Sequence, residues 1–534
     1  MLPNTIGSLL FISSASAASL VQRQSSSGNT TCVTYNVKSG DSCSAIGGGA
    51  NLTVAQLEAF NSKTWAWQGC DKLQAGINMC LSAGQPPLPA SVPGTICGPL
   101  VVNTTAPAPG QSLADLNPCP LNACCSAFGY CGITPIHCAL PPNGTALGAA
   151  GCISNCGTDI TNNKEEPEDF IRVGYFQGDN AKRPCLNMDV TRISRSRYTH
   201  IHFSFATLTP SFDVNITSIA SQFVRFKTMT KFQRILTFGG WDFSTSPSTY
   251  MIFRDMVQPA NRDLAATNIA NFITNNNLDG VDIDWEYPEA PDMPSIPPGE
   301  SNEGELFVTF LRLLKDKLPN KSVSIAMPAG YWYMRGFPVK EITEVVDYAV
   351  FMSYDYHGLW DYGSAESQVG CANGDCLRSH VNITETMESL ALVTKAGAKS
   401  DKIVVGVTSY GRGYKMVDPS CTGPDCHWTR NGTQPVGRCT RESGIMADAE
   451  IEEALAAARR NGTLTKRLYD EKSDTKIAVI GDWWVGYMDK EVKRRRTEKY
   501  RQLNFRGTTD WAVDYQSFDL AEPKRGRNRT EDGY

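Results

Sequence analysis

Three carboxylates alternate through the stretch LDGVDIDWEYP, residues 278–288: Asp282, Asp284 and Glu286, with Asp279 just ahead of them. The residues between them, Val281, Ile283 and Trp285, are strand formers. In a strand, residues two apart share a face, so the acids stack on one side. Like charges that close raise one another's pKa and cost stability. A carboxyl kept protonated near neutral pH in this way is a general acid, and a carboxylate beside it can stabilise developing positive charge. The competing chemistry is metal binding, which calls for further carboxylates or histidines from neighbouring strands. The six histidines form no obvious set, so no metal and no cofactor is expected. A solvated edge strand conflicts with the apolar alternation.

Such a ladder needs a rigid support, and the sequence offers one. Buried-type runs recur at IRVGYFQ (171–177), THIHFSFATL (199–208), QRILTFGGW (233–241), GVDIDWEY (280–287), SVSIAMPAG (322–330), VVDYAVFMSYD (345–355), KIVVGVTSYGRG (402–413) and GTTDWAVDY (507–515). Helical patterns such as LFVTFLRLLKDKL (306–318) and TETMESLALVTKAGA (384–398) lie between several of them. Strands alternating with helices predict an α/β fold, a parallel (β/α)8 TIM barrel. The seventh gap is too long for one crossover. It reads as an α+β insertion at about 415–500, with a helix at 447–460. Acids at the C-terminal end of a barrel strand point into the mouth where such folds place their chemistry.

Asp279-Gly-Val-Asp282-Ile-Asp284-Trp-Glu286 resembles the DxxDxDxE signature of glycoside hydrolase family 18 chitinases. TFGGW (237–241), MSYDY (352–356), SYGRG (409–413) and DWAVDY (510–515) are similar to that family's strand ends, in the same order, over about residues 168–520. The resemblance implies hydrolysis of β-1,4-linked N-acetylglucosamine polymers by a retaining, substrate-assisted route, an exception to the two-carboxylate scheme. Glu286 is then the general acid, and Asp284 orients the substrate's acetamide as its carbonyl attacks the anomeric carbon. Asp282 shares a proton with Asp284, and Tyr354 donates to the acetamido carbonyl. Asp355 contacts the same sugar, while Tyr175 and Thr237 hold the inner aspartate. Trp511 is the floor of the site, Met327, Tyr410 and Arg412 line it, and Trp241 and Trp360 are platforms for further sugars. In members with such an insertion, it walls one side of the cleft, which implies exo or processive action.

Eighteen cysteines, 12 of them between Cys32 and Cys156, point to disulfide-rich small modules and an oxidising compartment. Cys119, Cys124, Cys125, Cys131, Cys138, Cys152 and Cys156, with CCSAFGYCG (124–132), resemble a hevein-type chitin-binding module at 97–157. Ser126, Phe128 and Tyr130 match its sugar-binding positions, and His137 stands where a third aromatic is usual. Cys97 lies far ahead, so its partner stays open. Residues 32–82, with YNVKSGDSCSAI (35–46) and Cys32, Cys43, Cys70 and Cys80, resemble a fungal-type LysM module. That resemblance places sugar contacts at Gly40, Asp41 and Ser42 and from about Asn61 to Thr64. A proline-rich linker, 83–96, separates the two modules.

The first residues resemble a signal peptide, 1–19: an apolar core from Ile6 to Ile12 precedes Ala15-Ser16-Ala17, although no Lys or Arg comes before it. Sequons at Asn29, Asn51, Asn103, Asn143, Asn382 and Asn431 agree with secretion to the extracellular space. A net charge of −5 gives no broad nucleic-acid surface, and no run of eighteen apolar residues predicts a membrane span. Residues 521–534 read as a tail. The expected partners are chitin or chito-oligosaccharides. Rival readings are a chitin lectin without catalysis, the chitin-docking subunit of a killer toxin with a second subunit, and an endo-β-N-acetylglucosaminidase. Glu286 argues against the first, because lectins on this scaffold usually lose the acid.

Overall fold

The structure, a computed structural model, describes residues 31–518 apart from 109, 162, 163, 165 and 195. The expected signal peptide, the sequon at Asn29 and the tail lie outside the described residues.

Eight parallel strands close on themselves: β1 (Ile171–Gln177), β2 (His200–Leu208), β3 (Gln233–Gly239), β4 (Gly280–Asp284), β5 (Ser322–Pro328), β6 (Tyr348–Met352), β7 (Ile403–Thr408) and β8 (Gly507–Trp511). Each pairs with its sequence neighbour, and β8 pairs with β1, so the barrel has no free edge. The alternation read from the sequence explains the layering. Val281 and Ile283 face outward into the large core between strands and helices, while Tyr175, Tyr348, Val350 and Val404 fill the barrel interior. Helix Glu303–Lys317 is typical of the outer ring. Phe307, Phe310, Leu311 and Leu314 recur at helical spacing and are buried. Glu303 and Glu305 open it and Lys315 and Lys317 close it, in the sense the helix dipole favours.

The expected seventh strand is broken at Ser409. After β7 the chain turns out of the barrel, and Tyr410–Lys415 begins a separate five-stranded antiparallel sheet with 445–447, 465–470, 475–480 and 483–487. Helix Asp448–Arg460 covers one face through Ile451 and Leu455. The inserted sheet therefore starts at Tyr410 rather than about 415. Helix Lys490–Gln502, expected inside the insertion, packs on β7 and β8 through Val492 and Tyr500, as a barrel helix does. Disulfide Cys185–Cys439 ties the segment after β1 to the insertion.

All 18 cysteines pair, in nine disulfides. The chain divides into two compact units. Among the described residues, one holds 31–95 with 99–116 and 142–150. Its centre is a two-stranded sheet (34–36 with 78–80) and two short helices (43–50 and 54–61), braced by Cys32–Cys80 and Cys43–Cys70. The other unit joins the barrel to the cysteine core 96–98, 117–141 and 151–157. In that core Cys97 pairs with Cys125, Cys119 with Cys131, Cys124 with Cys138 and Cys152 with Cys156. The open partner of Cys97 thus lies inside its own module. The module is fastened to helix Ile383–Lys395: Asn122 Nδ2 donates to Lys395 O at 2.8 Å, and Lys395 Nζ donates to Asn155 O at 2.8 Å.

Candidate active site

The ladder splits by position. Asp279 precedes β4 at the opposite end of the barrel, where it takes Arg234 Nε at 2.8 Å and the Arg234 backbone N–H at 2.8 Å. It ties β3 to β4 and does not reach the mouth. Asp282 and Asp284 point inward from β4 and are buried, and Glu286 follows the strand end, half-buried.

Asp282 is surrounded by donors. Tyr175 Oη lies 2.8 Å away, Ser324 Oγ 2.7 Å and Thr237 Oγ1 3.2 Å. His202 Nδ1 lies 3.2 Å from Oδ2. Register explains the set, because Asp282 sits opposite Thr237 on β3 and Ser324 on β5. Burial pushes this carboxyl up, but His202 and the hydrogen bonds from Ser324 and Tyr175 outweigh it and hold Asp282 below the usual carboxylate range. Asp284 has no comparable support. Its Oδ1 is buried without a hydrogen-bond partner. Burial, then the charges of Glu286 and Asp282, raise it well above the usual range. Glu286 rises to about 7, chiefly through burial, with Asp355 and Asp242 adding to it against a hydrogen bond from Tyr287. Its backbone N–H is held by Ser244 Oγ at 3.0 Å.

The two glycines of TFGGW make this approach possible. Gly239 has φ +106°, and a Cβ there would lie 2.2 Å from the Asp284 carbonyl oxygen. Gly240 (φ +84°) donates its N–H to that same oxygen at 2.9 Å.

On the far wall, Asp355 adopts φ +61° beyond β6. Arg412 grips it with Nε at 2.6 Å and Nη2 at 2.8 Å, Tyr410 Oη contributes a further hydrogen bond and His380 Nδ1 lies 3.2 Å away. Burial raises Asp355, but the Arg412 guanidinium outweighs it and keeps Asp355 ionised. Tyr354 stands beside the acids, its phenol pushed up by burial and by Asp284. Trp511 ends β8 half-buried, its ring 5.4 Å from Tyr175 and 5.7 Å from Phe205. Trp241 and Trp360 are exposed at 47% and 53%. The Arg412 guanidinium lies over the Trp360 ring at 4.5 Å.

Met327 departs from the expectation. It is fully buried in the core under the helices, because Ser324 faces Asp282 and strand parity turns Met327 the other way. The methionine on the inward parity is Met352 at the end of β6, half-buried and in phase with Tyr348 and Val350. Ser324, His202, His380 and Met352 are the residues the sequence reading missed. Parity alone could have found Ser324 and Met352.

In the cysteine core, Phe128 and Tyr130 are exposed at 62% and 47%, whereas Ser126 is buried and accepts the Tyr130 backbone N–H at 3.3 Å. His137 is half-buried, its Nδ1 3.0 Å from Thr134 Oγ1. In the N-terminal unit Gly40 and Ser42 are exposed, and Asp41 is fixed by the Lys38 N–H at 2.8 Å and Tyr35 Oη at 2.9 Å. Asn61 is not a loop ligand. It is fully buried and its amide is consumed: Nδ2 donates to Leu57 O and Cys80 O, and Oδ1 accepts from Cys80 N and Thr64 Oγ1. Residues 142–150 lie across this loop, with Leu147 O accepting the Ala66 N–H at 2.7 Å. Asn61→Ala is therefore expected to destabilise this unit by about 1–3 kcal/mol, read as faster amide exchange at Cys80. Unchanged exchange with weakened sugar binding would contradict a structural role.

A closed barrel with two buried acids and a third at the end of one strand sets its carboxylates at the mouth, where folds of this kind carry their chemistry. The family of glycosyl hydrolases 18 matches residues 171–516, and the chain belongs to it. A chitin recognition protein family matches residues 110–156. The secreted chitinase LysM12 of Penicillium expansum is 46% identical over 501 residues, 92% of this chain and 33% of that protein. The killer toxin subunits alpha/beta of Kluyveromyces lactis are 37% identical over 506 residues, 93% of this chain and 41% of that protein. The chain thus spans about a third of the length of the first of these relatives. Among solved structures, the Group IV chitinase of Ostrinia furnacalis in complex with allosamidin shares the fold at TM-score 0.55 and 24% identity, covering 65% of this chain and 93% of that one.

Proposed function

We propose that the chain is a secreted chitinase that cleaves β-1,4-linked N-acetylglucosamine polymers with retention, by substrate-assisted catalysis. The observation that carries this is the graded ladder: an anionic Asp282, an Asp284 that keeps its proton and has a free Oδ1, and a Glu286 poised near neutral pH. Glu286 protonates the glycosidic oxygen as that bond breaks, and the acetamido carbonyl oxygen bonds to the anomeric carbon. The resulting oxazolinium is oriented by Asp284 and by the hydroxyl of Tyr354. Water then opens it and gives its proton to Glu286. Trp511 supports the reacting sugar, while the exposed Trp241 and Trp360 extend the cleft. Product analysis on colloidal chitin against a glycoprotein tests the reading: release of chito-oligosaccharides supports it, and release of N-glycans alone would replace it with the endo-β-N-acetylglucosaminidase.

The two N-terminal regions hold the enzyme on its substrate. Phe128 and Tyr130 offer exposed rings, and the 32–82 region reads as a LysM module with Gly40, Asp41 and Ser42 at its exposed loop. Relatives named LysM effectors support this, among them one of Penicillium expansum 42% identical over 125 residues. Phe128→Ala with Tyr130→Ala is expected to weaken retention on insoluble chitin about 10-fold or more and to leave turnover of a soluble chitotriose unchanged. Equal loss on both substrates would contradict an anchoring role. Nine disulfides fit an oxidising, extracellular compartment, and the exposed sequons at Asn51, Asn103, Asn143 and Asn431 are accessible to glycosylation. No helix among the described residues is long and apolar enough to cross a membrane. The identity with killer toxin subunits favours a second, compatible role, docking a partner subunit on a chitinous wall. Co-purification of a second secreted chain would support it.

A further inference from the structure

One buried group beside the ladder has no part in the mechanism above. His202, on β2, is fully buried between Tyr175, 4.8 Å away by ring centroids, and Tyr348. Its Nε2 lies 2.8 Å from Tyr348 Oη. Its Nδ1 makes no hydrogen bond of regular geometry; its polar contact is Asp282 Oδ2, 3.2 Å away. An imidazole in such a place costs desolvation free energy unless both nitrogens are matched.

We propose that His202 is a positioning residue: it presents an N–H to Asp282, keeps that carboxylate anionic, and so confines the mobile protons of the ladder to Asp284 and Glu286. The proposal rests on the chitinase reading and refines it. The Asp282 carboxylate can only accept, so the tautomer that suits it carries its hydrogen on Nδ1, and Tyr348, which keeps its proton, then donates to Nε2. A carboxylate has about four lone-pair sites. Tyr175, Thr237, Ser324 and His202 supply four polar neighbours to Asp282. A proton from Asp284 then finds no vacant acceptor, which replaces the expected sharing between the two aspartates with a fixed anion beneath a protonated partner. The titratable groups facing His202 are Asp282 from β4, Tyr175 from β1, Tyr348 from β6 and His200 on its own strand, with Asp284 one step above. Of these, Asp282 is the anion in contact with Nδ1, so the effect of His202 passes through it.

The test is the pH profile of kcat/KM for the full chain on a fluorogenic chitotriose. The acid limb reports the ionisation that leaves Asp282 anionic. His202→Leu removes the donor, so that limb is expected to move up by about one pH unit while the alkaline limb stays, narrowing the profile. His202→Asn, which can offer an amide N–H, is expected to restore at least half of the shift. A folded, active His202→Leu with an unmoved acid limb overturns the proposal. Should His202→Leu not fold, Tyr348→Phe decides: it lets the other tautomer turn a lone pair on Asp282, and the limb must again move up. An unmoved limb there is equally fatal. A wild-type chain that does not hydrolyse takes down the chitinase reading and the proposal with it, whereas hydrolysis with unmoved limbs removes only His202.

Discussion

Glu286→Gln is expected to lower turnover of chito-oligosaccharides by about 10²–10⁴-fold while retention on insoluble chitin is unchanged. Gln keeps the shape and the hydrogen bonding of the side chain but has no proton to give the departing oxygen. The wild-type carboxyl sits at about 7 because burial disfavours its anion, so kcat/KM should fall on the alkaline side as pH rises through that value. The same shift makes a stability prediction with a definite sign. The unfolded carboxyl titrates at about 4.3, and the folded one holds its proton longer. Its contribution to stability is complete below the unfolded pKa and is lost as pH rises through about 7. A neutral Gln has no such loss. The variant should therefore melt at or above the wild-type temperature at pH 8, with the difference closing toward pH 5. Equal activity of wild type and variant, measured on the same preparation, would sink the catalytic role of Glu286.

Much of this was legible in the residues because strand geometry has a period of two. Once Asp282 and Asp284 are placed inward, parity and register decide which side chains of β3 and β5 meet them, and Thr237 meets Asp282 as expected. On β5 the same period turns Met327, the expected liner, outward, because Ser324 faces Asp282. The break at Ser409 was not legible, since VVGVTSYGRG continues as strand-forming sequence and only the pairing of Tyr410–Lys415 with Trp483–Tyr487 reveals the change of sheet. Consequently Arg412 was expected as a liner but not as the bidentate partner of Asp355. Asn61 misled for a different reason. Asparagine at the end of a helix usually marks an exposed turn, and its bonds to Cys80 depend on a strand 19 residues away. The partner of Cys97 is a matter of three-dimensional proximity, which spacing does not encode. His202 looked like one of six scattered histidines because its partners come from strands 80 and 146 residues downstream.

Asp284→Asn separates the substrate-assisted route from ordinary acid catalysis. Its expected effect is a fall in kcat on the order of 10²–10³-fold, with KM changed much less. The resting Asp284 keeps its proton, because burial and the charges of Glu286 and Asp282 oppose ionisation. In the ground state it therefore resembles the amide that replaces it, and the substrate should bind nearly as well. The difference arises when the acetamido oxygen attacks and the ring acquires positive charge. Asp284 can then pass its proton to the Glu286 carboxylate, left anionic once it has protonated the departing oxygen, and face the oxazolinium as an anion; the proton returns to Asp284 when Glu286 takes one from the incoming water. With Asp282 held as a fixed anion by its donors, that developing cation is what makes a second negative charge tolerable beside the first. Asn offers a dipole at the same place but never a charge, so the loss falls on the transition state alone. Azide can replace water in opening the intermediate, but it should not restore Asp284→Asn, because formation of the oxazolinium has become limiting. An Asp284→Asn variant with wild-type kcat would mean that the acetamide is not the nucleophile here.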